Sequence, residues 1–196
     1  MVQSTFSSSA ADSISVPAGP TGRAMAQPID ASLLEGLQDH LSLERKASAT
    51  YWALAVWFAE RELRGFSTYM KQESQSEQQH AGLVADYLIA RGQPVLLGDL
   101  PSPPQQWSSA EQIFSALFLL EADVTSSLQQ LYAMAERASD VRTTVFLDPL
   151  VQNQIQAENQ TAHLLGRVRL SQNNPAALLL IDNELGDGKN ETASLA

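Results

Sequence analysis

The sequence has no cysteine, few basic residues and no long apolar run. Without cysteine, the 196-residue chain has no disulfide framework, no thiolate metal site and no cysteine nucleophile. Its 12 Lys and Arg against 22 Asp and Glu give a net charge of −10, which favours cations over nucleic acid or anionic membranes as partners. The longest strongly apolar stretch, residues 51–59, has nine residues, about half of a membrane span. We therefore predict a soluble protein without nucleic-acid or membrane partners.

Composition separates a central region from two ends. Residues 1–29 hold six Ser, three Pro, one acid, one base and no apolar periodicity, which predicts a flexible extension. The segment lacks the basic start and apolar stretch of a secretory signal, so a cytoplasmic location is predicted. Its Ser-rich, acid-poor composition leaves organellar targeting as a minor alternative. We expect residues 30–186 to form one domain and residues 187–196 to form a flexible tail.

Apolar residues recur at helical spacing from residue 30 onward, and strand signals are absent. Asp30 or Ser32 is expected to cap the first helix, Gly92 and Pro94 to stop the second, and Pro149 to bend the fourth. The predicted helices run from Asp30 or Ser32 to Ala59 or Glu60, from about Arg64 to Arg91, from Ser108 to Glu136 or Arg137, from Ser139 or Asp140 to Leu170, and from Ala176 to Leu185.

The connections between these helices predict the topology. Short links make the first and second helices, and the third and fourth, antiparallel neighbours. The 16-residue, proline-rich link 92–107 reaches roughly 50 Å when extended, whereas a 28-residue helix is about 42 Å long. The link can therefore cross the whole bundle. The prediction is an all-α four-helix bundle with one long crossover between helices 2 and 3 and a short fifth helix.

Each long helix carries an apolar stripe that becomes polar near its middle. The polar midpoints are Glu44, Glu77, Glu121 and Gln154. Because each lies near the centre of its predicted helix, we expect all four at one level of the bundle. Several buried carboxylates at one level are unstable unless they are protonated, paired with cations or bound to metal.

A multivalent cation is the favoured compensation at this level. No Lys or Arg occupies the central stripe positions, and Glu77-Gln78-Gln79-His80 places a carboxylate and an imidazole on one helix face. Several carboxylates with one imidazole suit iron or manganese better than calcium, and the lack of thiolates disfavours structural zinc. The alternative is a helical scaffold without metal, in which the central polar residues specify helix pairing.

Other residues near the stripes have two or more interpretations. Tyr51, two turns after Glu44, is either a core residue with a bonded hydroxyl or a redox participant. Glu73 and Glu158 lie one turn from the centre, and each is a ligand, a station for passing ions or a partly hydrated carboxylate. His40 and His163 fall off the stripes, so both are expected on the surface.

The helix order, the crossover and the set Glu44, Glu77-x-x-His80, Glu121 and Gln154 resemble ferritin, the non-haem iron-storage family. The resemblance covers residues 30–186 and includes a tyrosine at position 51. Three segments look most like cyanobacterial members: Ser42-Leu43-Glu44-Arg45, Ala59-Glu60-Arg61-Glu62-Leu63 and Asp182-Asn183-Glu184-Leu185.

The resemblance implies a di-iron ferroxidase centre that oxidises Fe²⁺ with O₂. It implies that Glu44 and His80 ligate one iron, Glu77 bridges two, and Glu121 holds the second. Gln154 would hydrogen-bond the centre, and Tyr51 could supply a further electron. Whether Glu158 is a terminal ligand stays open. A haem is not expected, because Gln78 stands where bacterioferritins carry the haem-binding methionine.

The resemblance also implies iron storage and detoxification inside a 24-subunit shell, with the fifth helix at the four-fold axis. Ions would enter through three-fold pores near the start of the fourth helix, with Asp148 and Glu73 on their route. The alternative is a di-iron or di-manganese oxidase, or a peroxide-consuming protein, of the same fold without a mineral store.

Overall fold

The computed structural model describes residues 26–188 of the chain, and this part is helical without strands. The helices are α1 Ala31–Ala59, α2 Arg64–Ala90, α3 Ala110–Arg137, α4 Val141–Ser171 and α5 Pro175–Gly186. The predicted all-α class is confirmed, and each helix begins and ends within two residues of its expected bounds.

Local side chains start the first, third and fourth helices. The Asp30 carboxylate caps α1, whereas Ser32, the alternative cap, lies inside the first turn, so that alternative is wrong. Ser109 caps α3 by accepting from the backbone N–H of Gln112, whose own side chain bonds back to the preceding loop. Asp140 in the same way caps α4, which continues as a helix on both sides of Pro149.

Helix neighbours follow the predicted topology: α1 packs on α2 and on α3, and α3 packs on α4. The crossover between α2 and α3 lies beside α1 and is held there by side chains. Gln38 donates to the Pro94 carbonyl (2.7 Å) and accepts from the Leu96 N–H (3.1 Å), and Arg45 donates to the Gly98 carbonyl (3.1 Å). The crossover therefore runs along α1 and delivers α3 to the far end of the bundle.

Apolar side chains form two core clusters, one at each end of the bundle. The first includes Tyr51, Leu54, Phe58, Phe66, Met70, Ile113, Phe114, Leu117, Leu164 and Val168. The second includes Leu33, Leu37, Leu41, Val84, Leu88, Val124, Leu128, Leu131 and Leu147. Between these two clusters lies a polar waist, which contains buried Glu44, Glu77, Glu121 and Gln154. The midpoints of the four stripes thus share one level, as expected.

The fifth helix docks against the start of α2. Leu63 gives α2 no side-chain cap, and Asp182 of α5 instead accepts a 2.8 Å hydrogen bond from the Phe66 N–H. Gly65 makes this approach possible, because a Cβ atom there would lie 1.7 Å from the Asp182 carbonyl oxygen. Helix α5 therefore supplies the cap that α2 lacks locally.

A second buried polar group, the Arg91 cluster, joins the end of α2 to the start of α4. It consists of Tyr87, Arg91, Asp140 and Thr143. Arg91 donates to the Asp140 carboxylate (2.7 Å), to the Tyr87 hydroxyl (2.5 Å) and to the Thr143 hydroxyl (3.0 Å). The cluster pairs a buried cation with a buried anion.

The described part of the N-terminal segment lies against the bundle. Ile29 is buried, and the Gln27 carbonyl accepts a hydrogen bond from Arg142. The expectations for residues 1–25 and 189–196 fall outside the described residues. Among residues 26–188, no helix has both the length and the apolar character needed to span a bilayer.

Candidate metal centre

Three potential metal ligands from two helices converge in the waist. Glu44 of α1 and Glu77 and His80 of α2 each place one ligand atom within 4.8 Å of the others. His80 Nδ1 lies 3.0 Å from Glu77 Oε2 and 3.9 Å from Glu44 Oε2. The i, i+3 spacing of Glu77 and His80 places both on one face of α2, opposite Glu44.

The carboxylate of Glu121 lies beside this group but uses both oxygens internally. The Tyr51 hydroxyl donates to Oε1 of Glu121, and Gln154 Nε2 donates to its Oε2 at 2.9 Å. The same Gln154 nitrogen lies 3.1 Å from the backbone carbonyl of Glu121. Tyr51 and Gln154 therefore hold Glu121 from two sides, and Tyr51 connects the aromatic core to the waist.

The remaining predicted residues lie farther out. Glu158 is half-buried and accepts a 2.9 Å hydrogen bond from Thr125 of α3, so it is not in the three-residue group. Glu73 is half-buried one turn before Glu77. Asp148 is exposed on the first half of α4, where the Tyr132 hydroxyl donates to it at 3.1 Å.

Burial and crowding of like charges control protonation in the waist. Burial raises the pKa of Glu77 and of Glu121, and the nearby Glu44 carboxylate adds to both shifts. Burial likewise raises the pKa of Glu73 to about 7. The contact with Glu77 raises the pKa of His80. Although burial opposes ionisation of Glu44, contacts with His40 and Glu77 lower its pKa.

His40 is the main correction to the sequence analysis. It was expected on the surface, yet its exposed fraction is 0%, whereas His163 is exposed as expected. His40 Nε2 lies 3.0 Å from Glu44 Oε1, and its Nδ1 lies 3.0 Å from the Ser127 hydroxyl of α3. The error arose because α1 buries more than one stripe.

A sequence signal for His40 was present. Helix α1 packs on both α2 and α3, so it buries a second set of positions at three- and four-residue steps. That set is Leu33, Leu37, His40, Glu44, Ala47, Tyr51, Leu54 and Phe58. A histidine one turn before a buried glutamate on such a stripe indicates a partner of that glutamate.

Tyr69 was also missed. This tyrosine of α2 is buried, and Thr161 of α4 is its hydrogen-bond partner. Burial, together with the charges of Glu73 and Glu121, raises the pKa of its phenol well above the usual value. Tyr69 and Tyr51 thus make two neutral phenols near the waist.

The donor set fits a divalent cation. Glu44 Oε2 is buried without a hydrogen-bond partner and faces Glu77 and His80. A buried, unpartnered anionic oxygen is unfavourable, and a bound cation removes the penalty. Carboxylate oxygens with one imidazole are ligands suited to ferrous iron.

A helical bundle with a long crossover and a carboxylate–imidazole group at its waist has the features of the ferritin-like class of metal-binding bundles. Residues 34–171 match the family defined by the ferritin-like domain, which is more than half of the chain. The chain therefore belongs to the ferritin family.

Named relatives and solved structures agree with this assignment. The chain is 27% identical over 158 residues to a bacterial non-heme ferritin of Bacteroides fragilis, covering 81% of this chain and 98% of the relative. It is 24% identical to one from Escherichia coli O6:H1, covering 78% and 93%. An open pore ferritin from Archaeoglobus fulgidus superposes with a TM-score of 0.78 at 30% identity, covering 81% of this chain and 96% of that one.

Proposed function

We propose that this protein stores and detoxifies iron by oxidising Fe²⁺ with O₂ at the waist and depositing the ferric product inside a 24-subunit shell. The observation that carries the proposal is the convergence of Glu44, Glu77 and His80 within 4.8 Å, with one buried Glu44 oxygen unpartnered. The names of the bacterial and archaeal relatives support the same function for this chain.

In this proposal Fe²⁺ is the substrate, and two ferrous ions supply the two electrons that reduce O₂ at the centre. Glu44 and His80 bind one ion, Glu77 lies between the two positions and Glu121 binds the second. The raised pKa of Glu77 means that ion binding displaces a proton from this side chain. Tyr51 and Gln154 hold the Glu121 carboxylate in place by hydrogen bonds, and the proposal gives the Tyr51 phenol the role of donating a further electron.

Iron entry is assigned to the outer carboxylates. Asp148 is exposed near the start of α4, and Glu73 lies one turn from Glu77 toward the start of α2. The two carboxylates lie on opposite sides of the waist, because Asp148 adjoins Leu147 of the second core cluster and Glu73 lies toward Met70 of the first, so each provides oxygen ligands for a hydrated cation on its own side. Glu158 belongs to this outer group as long as Thr125 holds it, and it becomes a ligand only by leaving that hydrogen bond.

Helix α5 supports assembly into a shell. Leu179 and Leu180 are 50% and 57% exposed on this helix, and Leu170 at the end of α4 is 85% exposed. Apolar side chains this exposed at one end of the bundle are typical of a surface covered by other subunits. Light scattering that gives a monomer or dimer would refute the shell and leave the metal centre standing.

The decisive experiment combines ion binding with core formation. Anaerobic titration should saturate at about two Fe²⁺ per subunit, and repeated additions under air should produce an electron-dense core inside particles of constant size. Saturation without a core would instead favour the di-iron or di-manganese oxidase. If Fe²⁺ does not bind saturably, the remaining alternative is a helical scaffold without metal.

A matched pair of variants locates the reaction. Glu77→Gln should abolish the fast oxidation phase while the shell still assembles, because the waist is a small part of the core. Glu136→Gln, at an exposed carboxylate near the end of α3, should leave the fast phase unchanged. Equal rates in the Glu77→Gln variant and the unmodified protein would remove the waist as the reaction site.

A further inference from the structure

The two oxygens of the Glu44 carboxylate face two different histidines. Oε2 faces the ligand group, 3.9 Å from His80, whereas Oε1 faces away from it, 3.0 Å from His40. His80 keeps 17% of its side chain exposed, but His40 is enclosed between α1 and α3. The two imidazoles therefore serve one carboxylate from opposite sides.

Neither nitrogen of His40 faces the group of potential metal ligands. Its Nδ1 is the hydrogen-bond partner of the Ser127 hydroxyl, and its Nε2 approaches Glu44 Oε1, although the ring is not aligned for a linear hydrogen bond. His40 is also absent from the group whose ligand atoms converge. Its place is behind the ligand, where outer partners orient ligands and set their basicity.

Ser127 is compatible with the tautomer of His40 that carries its proton on Nε2, because the serine hydroxyl is able to donate to Nδ1. When the serine hydroxyl donates to Nδ1, the ring proton resides on Nε2, the nitrogen that faces the Glu44 carboxylate. Ser127 lies on α3, so this arrangement also fixes the ring relative to a helix that does not carry Glu44. The ring is thus held from one helix while it contacts a ligand on another.

We propose that His40 is a positioning residue of the metal centre: it occupies Glu44 Oε1, so that only Oε2 remains available and Glu44 binds a divalent cation through a single oxygen. The inference rests on the proposed function, since it requires that the waist bind metal. It assigns His40 no contact with the ion and no transfer of protons.

The test uses Co²⁺, whose visible spectrum reports the number and geometry of its ligands. His40→Leu removes both nitrogens and keeps an apolar side chain of moderate size, and His40→Gln keeps an amide donor near the position of Nε2. His163→Leu is the control, because this histidine is exposed on α4. Each protein is titrated with Co²⁺ by calorimetry and by absorption.

The expected result is about a tenfold loss of Co²⁺ affinity in His40→Leu, with a changed spectrum as Glu44 binds through both oxygens. His40→Gln should recover most of the affinity and the original spectrum, and His163→Leu should match the unmodified protein. Unchanged affinity and spectrum in His40→Leu overturns the inference. So does a His40→Gln variant as impaired as His40→Leu, because shape alone would then explain the loss.

Two further outcomes are distinguishable. If the unmodified protein shows no saturable Co²⁺ binding, both the proposed function and the inference are wrong. If His40→Leu does not fold, His40→Gln decides alone: retained affinity with the original spectrum supports positioning, and a tenfold loss contradicts it. A crystal structure of the Co²⁺ form with Glu44 bound through both oxygens in the unmodified protein also overturns the inference.

Discussion

The waist and the Arg91 cluster are both buried and polar, but they balance their charges differently. In the Arg91 cluster a cation and an anion meet at 2.7 Å, and the cation also donates to two hydroxyl groups. In the waist, three glutamates crowd together with two histidines and no Lys or Arg. The first group balances its charge within the fold, whereas the second concentrates carboxylates whose excess negative charge a bound cation would offset, a feature typical of ligand sites.

The largest expected effect breaks the complete group. Arg91→Met leaves Asp140 buried without its cation, so we expect a loss of about 3–5 kcal/mol of unfolding free energy. Urea denaturation of the metal-free protein measures the loss. Arg142→Met is the control, because Arg142 is 42% exposed and 3.7 Å from the same carboxylate, and it should cost less than about 1 kcal/mol. Equal losses of unfolding free energy in both variants would mean that the buried ion pair stabilises the fold no more than the exposed one does.

The contributions of Glu73, near the waist, and of Asp140, in the Arg91 cluster, to the free energy of unfolding should change with pH in opposite directions. The pKa of Glu73 is raised from 4.5 to about 7, so the folded state binds more protons than the unfolded state in that interval. Stability from Glu73 is therefore present below about pH 4.5 and is lost as pH rises through about 7, a change of roughly 3 kcal/mol. Urea midpoints of metal-free Glu73→Gln should lack this decline.

Asp140 provides the opposite case. Although burial opposes ionisation, the Arg91 hydrogen bond lowers the pKa of Asp140 below its ordinary value of 3.8. Stability from this pair is present above pH 3.8 and is lost as pH falls through the lowered value. If the urea midpoint fell equally with rising pH in Glu73→Gln and in the unmodified protein, the contrast between the two groups would be wrong.

A smaller effect concerns metal-dependent stability. Glu77→Gln removes a carboxylate whose pKa burial raises, so above about pH 8 the metal-free variant should be as stable as the unmodified protein or about 1 kcal/mol more stable. Added Co²⁺ should raise the melting temperature of the unmodified protein and not that of the variant. The melting temperatures of the two proteins are measured by thermal unfolding, each with chelator and with Co²⁺. A metal-free variant that is less stable would show that the Glu77 charge is already compensated.

The smallest expected effect on stability comes from the phenols. Tyr51→Phe removes one donor to Glu121 and should cost about 1 kcal/mol. It should also slow or alter the second electron delivery seen in transient spectra during oxidation. Tyr69→Phe is the matched control, because Tyr69 is also buried but pairs with Thr161. Identical transients in Tyr51→Phe and the unmodified protein would remove Tyr51 from electron transfer.

The helices and the level of the waist could be predicted because they depend on local signals. The N-cap side chains accept hydrogen bonds from backbone N–H groups only two or three residues later in the chain, as in Asp30, Ser109 and Asp140. Helical spacing alone identifies the polar midpoints Glu44 and Glu77. These features need no knowledge of which helix lies beside which.

The features that were missed depend on contacts between distant residues. His40 is buried because α1 also packs on α3, and Arg91 is buried because Asp140 comes to it from 49 residues away. Arg91 does not differ in the sequence from an ordinary surface residue at the end of a helix. A second stripe on α1 would have indicated His40, but no local pattern indicates Arg91.

The long-range cap on α2 has a consequence for biosynthesis. The Phe66 N–H is satisfied by a side chain 116 residues later, on the last helix. During translation the first turn of α2 therefore stays open until almost the whole chain has left the ribosome. A nascent or truncated chain that ends before Asp182 lacks the closing contact at Gly65, so an error near the C-terminus frays a helix that begins in the first half of the chain.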